Sequence, residues 1–225
     1  TEIQLFRGKR RGMTVNGVPA KTNAALSDVL HTVFFCPEDL FLIRAGAAER
    51  RRFMDQSLCQ LRPRYAEALA EYGRLYDHKT RILRDWNEHP SLLSALDDFD
   101  LRMAQMGALL IHYRAHFVKR LQEAAPPIHR DFSGGGEALS LTYTTVSNIP
   151  DPLASPKELL PLLLDHQARH KQAELDSRQC LSGPHKDDLL VDINGLSAKT
   201  YGSQGQTRTA ALSLKLAQRE IFQAE

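Results

Sequence analysis

The 225-residue sequence has no G-x-x-x-x-G-K-[ST] phosphate loop. Its single Gly-Lys pair, Gly8-Lys9, is followed by Arg10 and lacks the spacing, so nothing in the chain can wrap a β-phosphate in that way. Cysteine is scarce: Cys36, Cys59 and Cys180 have neither metal-type spacing nor the density of a disulfide framework, which suits a reducing, cytoplasmic compartment. No apolar run approaches the ~20 residues of a membrane span and no signal peptide is evident, so no membrane association is expected. An excess of one charge is also missing. Lys and Arg number 29 against 27 Asp and Glu, a net +2, and no global basic field announces nucleic acid. His112 with His116, and His166 with His170, stand four apart on helical stretches, yet neither pair has the Glu of H-E-x-x-H. No metal site is assigned. Spacing gives no Ser-His-Asp or Cys-His arrangement either, so no catalytic residue is placed within the chain.

What is present suffices for real cores: 42% of residues are hydrophobic, and the length allows one large or two modest domains. The patterning changes along the chain. Residues 1 to 36 read as short strands and turns, at 2–6, 13–15 and 32–35, with an Asn16-Gly17 hairpin signal and a short helix before the last strand. From Pro37 to about Ile128 helical periodicity dominates. Leu96, Phe99, Met103, Met106, Leu110, Tyr113 and Phe117 recur at steps of three and four, as do Tyr65, Leu69, Tyr72 and Tyr76, which predicts antiparallel partners in a short arm with Trp86 near its tip. Ser133-Gly134-Gly135-Gly136 breaks the pattern before a strand at 139–143, and Pro150, Pro152 and Pro156 mark a loop. A second long helix is expected from Pro156 to Arg178, then a strand at 189–193 and an Asn194-Gly195 turn.

The last stretch, YGSQGQTRTAALSLKLAQREIF at 201–222, has two features. Ser203 with Gln206 three residues on is a capping box, and the downstream apolar residues follow a helical face, with Arg208, Lys215 and Arg219 free to face water. Gly205 is surplus to that, since glycine inside a helix costs roughly 1 kcal/mol against alanine. It bares a helix N-terminus whose amides and partial positive charge suit an anion, phosphate above all. An ordinary capped helix behind a glycine turn is the other reading. Elsewhere, Arg7, Lys9, Arg10 and Arg11 place cations on a hairpin tip, either a solvated turn or a contact to DNA phosphates. Arg50, Arg51 and Arg52 open a helix after Gly46, and at least one must point inward. His185 lies in a polar turn beside Asp187 and Asp188, as an acid-base group or as part of a structural turn whose Lys186 meets phosphate.

SQGQ followed by TRTAALSLKLA resembles the signature segment of ABC-type ATPases of the chromosome-maintenance and DNA-repair branch, most closely the RecF family. FFCPEDLFLIRAGAAERRRFMD at 34–55 and GPHKDDL at 183–189 fit the same family in the same order, and the resemblance runs through nearly the whole chain. It implies an α/β (α+β) fold: part of an ABC-type ATPase head with an inserted helical arm lobe. Residues 1–49 would be a β-rich part of the head, 50–178 the helical lobe with a small strand element near 139–143, and 179–225 the return to the head, the β pieces of both chain ends packing together. The family's phosphate loop would precede Thr1, and its acidic Mg²⁺-holding strand would follow Glu225. ATP and Mg²⁺ are therefore implied for the complete protein, and no tight binding is expected of this stretch alone.

The resemblance further implies that Ser203, Gln204, Gly205 and Gln206 meet the γ-phosphate of ATP held by another copy, forming an ATP-dependent homodimer. Glu38, Asp39, His185 and Lys186 become candidate nucleotide-sensing or phosphate contacts. Cys36 stands where many relatives carry a Mg²⁺-contacting glutamine, a departure for which Glu38 or Asp39 would substitute. The implied partners are DNA at gaps and single-strand/duplex junctions and recombination mediators such as RecR. The implied roles are recombinational repair, replication restart, recombinase loading and the SOS response. The alternative is a helical protein-protein docking module with no nucleotide role.

Overall fold

The computed structural model describes residues 2–4, 12–19 and 30–225, the Ile3 side chain excepted. The basic tip with Arg7, Lys9, Arg10 and Arg11, and the short helix expected before residue 32, lie outside the described residues. The strands are β1 (Glu2–Gln4), β2 (Gly12–Val15), β3 (Val18–Pro19), β4 (Leu139–Thr144), β5 (Asp188–Ile193) and β6 (Leu196–Ser197). The helices are α1 (Ala47–Leu61), α2 (Pro63–Asp85), α3 (Leu96–Phe132), α4 (Pro156–Ser177), α5 (Ala198–Tyr201) and α6 (Gln204–Gln223), with 3-10 turns at Pro37–Phe41, Pro90–Ala95 and Pro184–Lys186.

Local chemistry sets most boundaries. Arg62 is extended because Pro63 follows it, and Pro63 itself opens α2, where its missing amide costs nothing. Ser155 and Glu158 close a capping box at the start of α4. Asn16-Gly17 and Asn194-Gly195 both take positive φ, the backbone of tight hairpin turns, joining β2 to β3 and β5 to β6. Helical patterning read to about Ile128 continues to Phe132. The helix passes through Pro126 and Pro127, and burial of Ala125 and His129 on either side offsets the ladder bonds those prolines cannot make. The strand expected at 32–35 is irregular backbone, because the Thr32 amide is taken by the Gln60 side chain at 2.8 Å and not by a neighbouring strand.

Two three-stranded antiparallel sheets form, β1-β2-β3 and β4-β5-β6, and no ladder joins them among the described residues. β4 pairs with β5 from Leu139↔Ile193 to Thr144↔Asp188, so the strand after the glycine turn is zipped to the segment that leads into α6. Leu139, Leu141, Leu189, Val191 and Ile193 alternate into the core. The periodic stripe behaves as its spacing dictates: Leu96, Met103, Leu110 and Phe117 are buried, with Tyr65 and Tyr72 packed against them. Tyr65 meets Tyr113 edge-on at one end of the α2/α3 pair, and Lys79 meets Asp100 at the other, which makes the two helices antiparallel. The opposite face of α3, through Ala104, Ala108 and Ile111, holds α4 by Leu159 and Leu163.

Charges stand inside this core. Arg114 of α3 is 3% exposed and donates to Asp55 of α1 at 2.8 Å, to Asp187 at 2.8 Å and to the Pro184 carbonyl at 2.7 Å. The Tyr65 hydroxyl bonds Asp55, and that of Tyr143 bonds Asp187. One guanidinium thus ties α1, α2, α3, β4 and the turn before β5. Lys79, fully buried, sits between Asp100 and Glu174 at 2.6 Å each, and Glu174 also accepts from the Leu181 and Ser182 amides. Trp86 donates to the Leu175 carbonyl at 3.2 Å, so the turn after α2 is fastened to the end of α4.

Burial pushes Asp187 up, and Arg114 with the Tyr143 hydroxyl pulls it back toward the ionised form. Arg114→Met removes that compensation and should cost about 3–5 kcal/mol in urea unfolding. Adding Asp187→Asn to that variant should restore part of the loss, because the stranded charge goes with it.

Candidate functional site

The capping box at α6 forms as the sequence dictates. Ser203 Oγ accepts from the Gln206 amide at 3.2 Å, and Gln206 Oε1 accepts from the Ser203 amide at 2.8 Å. Ser203, Gln204 and Gly205 are exposed and Gln206 is half-buried. Since the cap uses a lone pair of Ser203, its hydroxyl proton remains free to donate. The two glycines of the segment differ. A Cβ at Gly202 would stand 2.4 Å from the Ala198 carbonyl oxygen, so the fold requires that glycine; at Gly205 it would meet only Ser203 Oγ, at an ordinary 3.8 Å. Among the described residues nothing needs Gly205.

The three stretches that carry the resemblance interlock, though they are far apart in sequence. Arg44 donates to the Gly202 carbonyl at 3.2 Å, directly before Ser203. Arg50, 4% exposed, forms a two-pronged pair with Asp188 at 2.7 and 2.8 Å and also bonds the Ile43 and Ala45 carbonyls; Arg51 donates to the Asp187 carbonyl at 2.7 Å. Arg52 points outward to Glu49. The expectation that Lys215 faces water is corrected: it is buried, 3.0 Å from Asp39 and 3.0 Å from the Phe34 carbonyl, with Phe53 beneath its ammonium. Its place on the inner face follows from this pairing, which only the 3-10 turn supplies.

Asp39 is therefore occupied. It caps its own turn by accepting from the Cys36 amide at 2.9 Å, and although burial raises it, that bond and Lys215 hold it below its ordinary value. Glu38 is exposed, and its carboxylate beside the Cys36 thiol is the chief cause that raises the thiol above its usual range, while the thiol itself donates to Asp39 at 3.3 Å. Both acids line a cavity of about 1080 Å³ together with Phe34, Phe53, Lys215 and Gln218. Of the two, Glu38 is the one with a free face.

His185 is a clamp. Its Nδ1 accepts from the Tyr72 hydroxyl at 2.7 Å and its Nε2 donates to the Cys180 carbonyl at 3.0 Å, which fixes a neutral ring with the proton on Nε2. Gly183 beside it has φ +129°, and a Cβ there would strike the Tyr72 oxygen at 2.4 Å. Lys186, by contrast, is exposed. His112 and His116 bond the Ala154 and Leu153 carbonyls, and His166 bonds Ser182, so these rings hold backbone and a serine. Among the described residues no cluster of three or more His, Cys, Asp or Glu could hold a metal. No motif marks Arg114 or Lys79. Their signal was a charge on an apolar stripe: Arg114 falls between Leu110 and Phe117, and Lys79 between Tyr76 and Leu83.

A long inserted helical pair, a sheet that feeds a signature-type helix, and an arginine-rich segment locking onto both define part of an ABC-type ATPase head with a helical lobe. Two solved structures of the recombination mediator protein RecF in the RecFOR pathway share this fold. RecF-ATPrS superposes with a TM-score of 0.87 at 26% identity over 96% of this chain and 57% of that one, and RecF-ATP with 0.85 at 27% over 94% and 56%. Along nearly its whole length the chain is similar to RecF proteins. The DNA replication and repair protein RecF of Acetivibrio thermocellus is 36% identical across 100% of this chain and 60% of its own length. That of Agathobacter rectalis is 38% identical across 96% and 57%. No family model matches. The chain spans about three fifths of the length of these relatives.

The clamp on His185 sets a pH dependence. Burial lowers this ring to about 4 from an ordinary 6.5, so the unfolded chain takes up a proton below pH 6.5 that the folded chain refuses until about pH 4. The stability it contributes is complete above pH 6.5 and declines as pH falls through that window, by at most about 1.4 kcal/mol per pH unit. His185→Gln, which does not titrate, should show a shallower loss between pH 6.5 and 4 in urea unfolding than the parent.

Proposed function

We propose that this chain supplies the signature side of a RecF-type ATPase, with the start of α6 receiving the γ-phosphate of ATP held by a second copy. The observation that carries this is Gly205. It is exposed, it has ordinary space for a side chain, and the described residues give no reason for that side chain's absence. What remains is an approach path for an anion to the first amides of a 20-residue helix, beside a serine hydroxyl with a free proton. A docking module would have no use for such an opening.

In this reading ATP, with its Mg²⁺, supplies the charge that draws two heads together, and the residues here recognise it from across the interface. Ser203 donates its hydroxyl, the amides near Gly205 and Gln206 add partial charge, and Gln204 stands exposed at the rim. Glu38, exposed on its turn, would sense nucleotide in its own head, and Lys186 is the exposed cation of the 183–188 turn. His185 holds that turn and Asp39 holds Lys215, so neither is assigned to phosphate or metal.

The relatives' names as DNA replication and repair proteins, and the RecFOR pathway of the solved ones, support the wider role. ATP-driven dimers would close onto DNA at gaps and single-strand/duplex junctions in the cytoplasm. With mediators such as RecR they would support recombinational repair, recombinase loading, replication restart and the SOS response. Arg7, Lys9, Arg10 and Arg11 would meet DNA phosphates.

Ser203→Arg in a protein of the relatives' full length should leave ATP binding within about twofold of the parent and abolish the ATP-driven dimer in sedimentation velocity, since each charge-assisted bond to the γ-phosphate contributes roughly 1.5–3 kcal/mol. A plain cap predicts instead about 1 kcal/mol of lost stability and normal dimers. Replacing Lys9, Arg10 and Arg11 by alanine should weaken duplex binding regardless of sequence and flatten its salt dependence, read by titration at several salt concentrations.

A further inference from the structure

Gln206 has a second partner beyond the cap. Its Nε2 donates to Glu137 Oε1 at 2.9 Å while its Oε1 takes the Ser203 amide. A side-chain amide can turn over and exchange its two ends, and in the turned-over state an NH₂ group would face the Ser203 N–H and break the box. A carboxylate accepts only, so Glu137 dictates which end of Gln206 faces Ser203.

Glu137 is itself held. Its other oxygen accepts from Nε2 of His129 at 2.9 Å, and His129 is fully buried on α3, with its remaining nitrogen 3.5 Å from Ser213 of α6. Gly134 and Gly135, at φ +63° and +84°, reverse the chain straight after α3 and carry Glu137 back over that helix's last turn. The next residue is pinned to the β5–β6 turn, the Ala138 amide donating to Asn194 Oδ1 and the Asn194 amide to the Ala138 carbonyl, each at 2.8 Å. A chain of contacts therefore runs His129, Glu137, Gln206, Ser203, from the inside of the lobe helix to the exposed hydroxyl.

We infer that Glu137, clamped by His129, is a positioning residue for the signature segment: it locks the Gln206 amide so that Ser203 and the first amides of α6 are preset for the partner's γ-phosphate. This rests on the reading of Ser203 given above. It also gives the glycine-rich turn at 134–136 a task, which is to return an acid from the lobe to the place where two heads would meet.

The test uses a protein of full family length with Glu137→Ala, Glu137→Gln and Ser203→Arg. The readouts are ATP-driven dimerisation by sedimentation, and amide hydrogen exchange across residues 200–208 without nucleotide. Glu137→Ala should weaken the ATP-driven dimer roughly tenfold and speed exchange of the Ser203 amide, with ATP binding unchanged. Glu137→Gln should restore both to within about twofold, because its carbonyl oxygen still faces Gln206 and its NH₂ faces a His129 that can change tautomer; a merely structural loss would not be rescued in this way. Unchanged exchange in Glu137→Ala, or a glutamine variant as poor as the alanine one, overturns the inference. So does a normal dimer from Glu137→Ala when Ser203→Arg blocks dimerisation. If Ser203→Arg also dimerises normally, the reading of Ser203 fails and takes the inference with it, which the exchange data distinguish from failure of the Glu137 contact.

Discussion

A guanidinium buried among two carboxylates and two phenols is the constraint on which the rest depends. Arg114 is 3% exposed, and every nitrogen of its fork has an acceptor. An ion in that position is costly to desolvate, and only a complete set of partners offsets the cost. The set comes from α1, α2 and the turn before β5, with Tyr143 of β4 holding Asp187 in place, so those elements have one arrangement in which Arg114 is satisfied. Apolar packing around Phe117 and Tyr65 would tolerate small slips. A buried charge with fixed partners does not.

That arrangement sets the geometry farther out. Asp187 is fixed by Arg114, and its carbonyl and the neighbouring Asp188 then receive Arg51 and Arg50 at the head of α1. The loop before α1 presents Arg44 to Gly202, and the 3-10 turn before that presents Asp39 to Lys215. The candidate phosphate-facing residues are thus exposed side chains on a rigid backing. Ser203, Gln204 and Gly205 face solvent, while Thr207, Ala210 and Ala211 just behind them are buried. Such a surface changes little on binding, so less ordering entropy opposes the contact.

The lobe and α6 share more than a boundary. β4, which follows the long lobe helix, is hydrogen-bonded along its length to β5, which leads toward α6. Glu174 of α4 gathers the amides that start the 181–188 segment while its carboxylate holds Lys79 of α2. A displacement of the lobe helices would therefore be felt at the turn before β5, because polar contacts are directional and have few alternative geometries.

Much of this was legible in the residues. The capping boxes at Ser155 and Ser203, both Asn-Gly turns, the strand at 139–143 and the stripe from Leu96 to Phe117 follow from local rules, since a cap, a tight turn or a 3.6-residue period involves atoms within a few residues of one another. The surplus of Gly205 was also visible, because propensity alone argues against it. The partners of Arg114, Lys79, Lys215 and Gln206 were not. Each is a polar side chain whose mate lies far along the chain, such as Lys215 with Asp39 or Gln206 with Glu137, and no local pattern encodes that pairing. The sequence by itself determined the helices, the hairpins and the bare helix start. Only the tertiary structure decided which charges go inside, because a buried ion is tolerated solely where folding brings its counter-charge within hydrogen-bond reach.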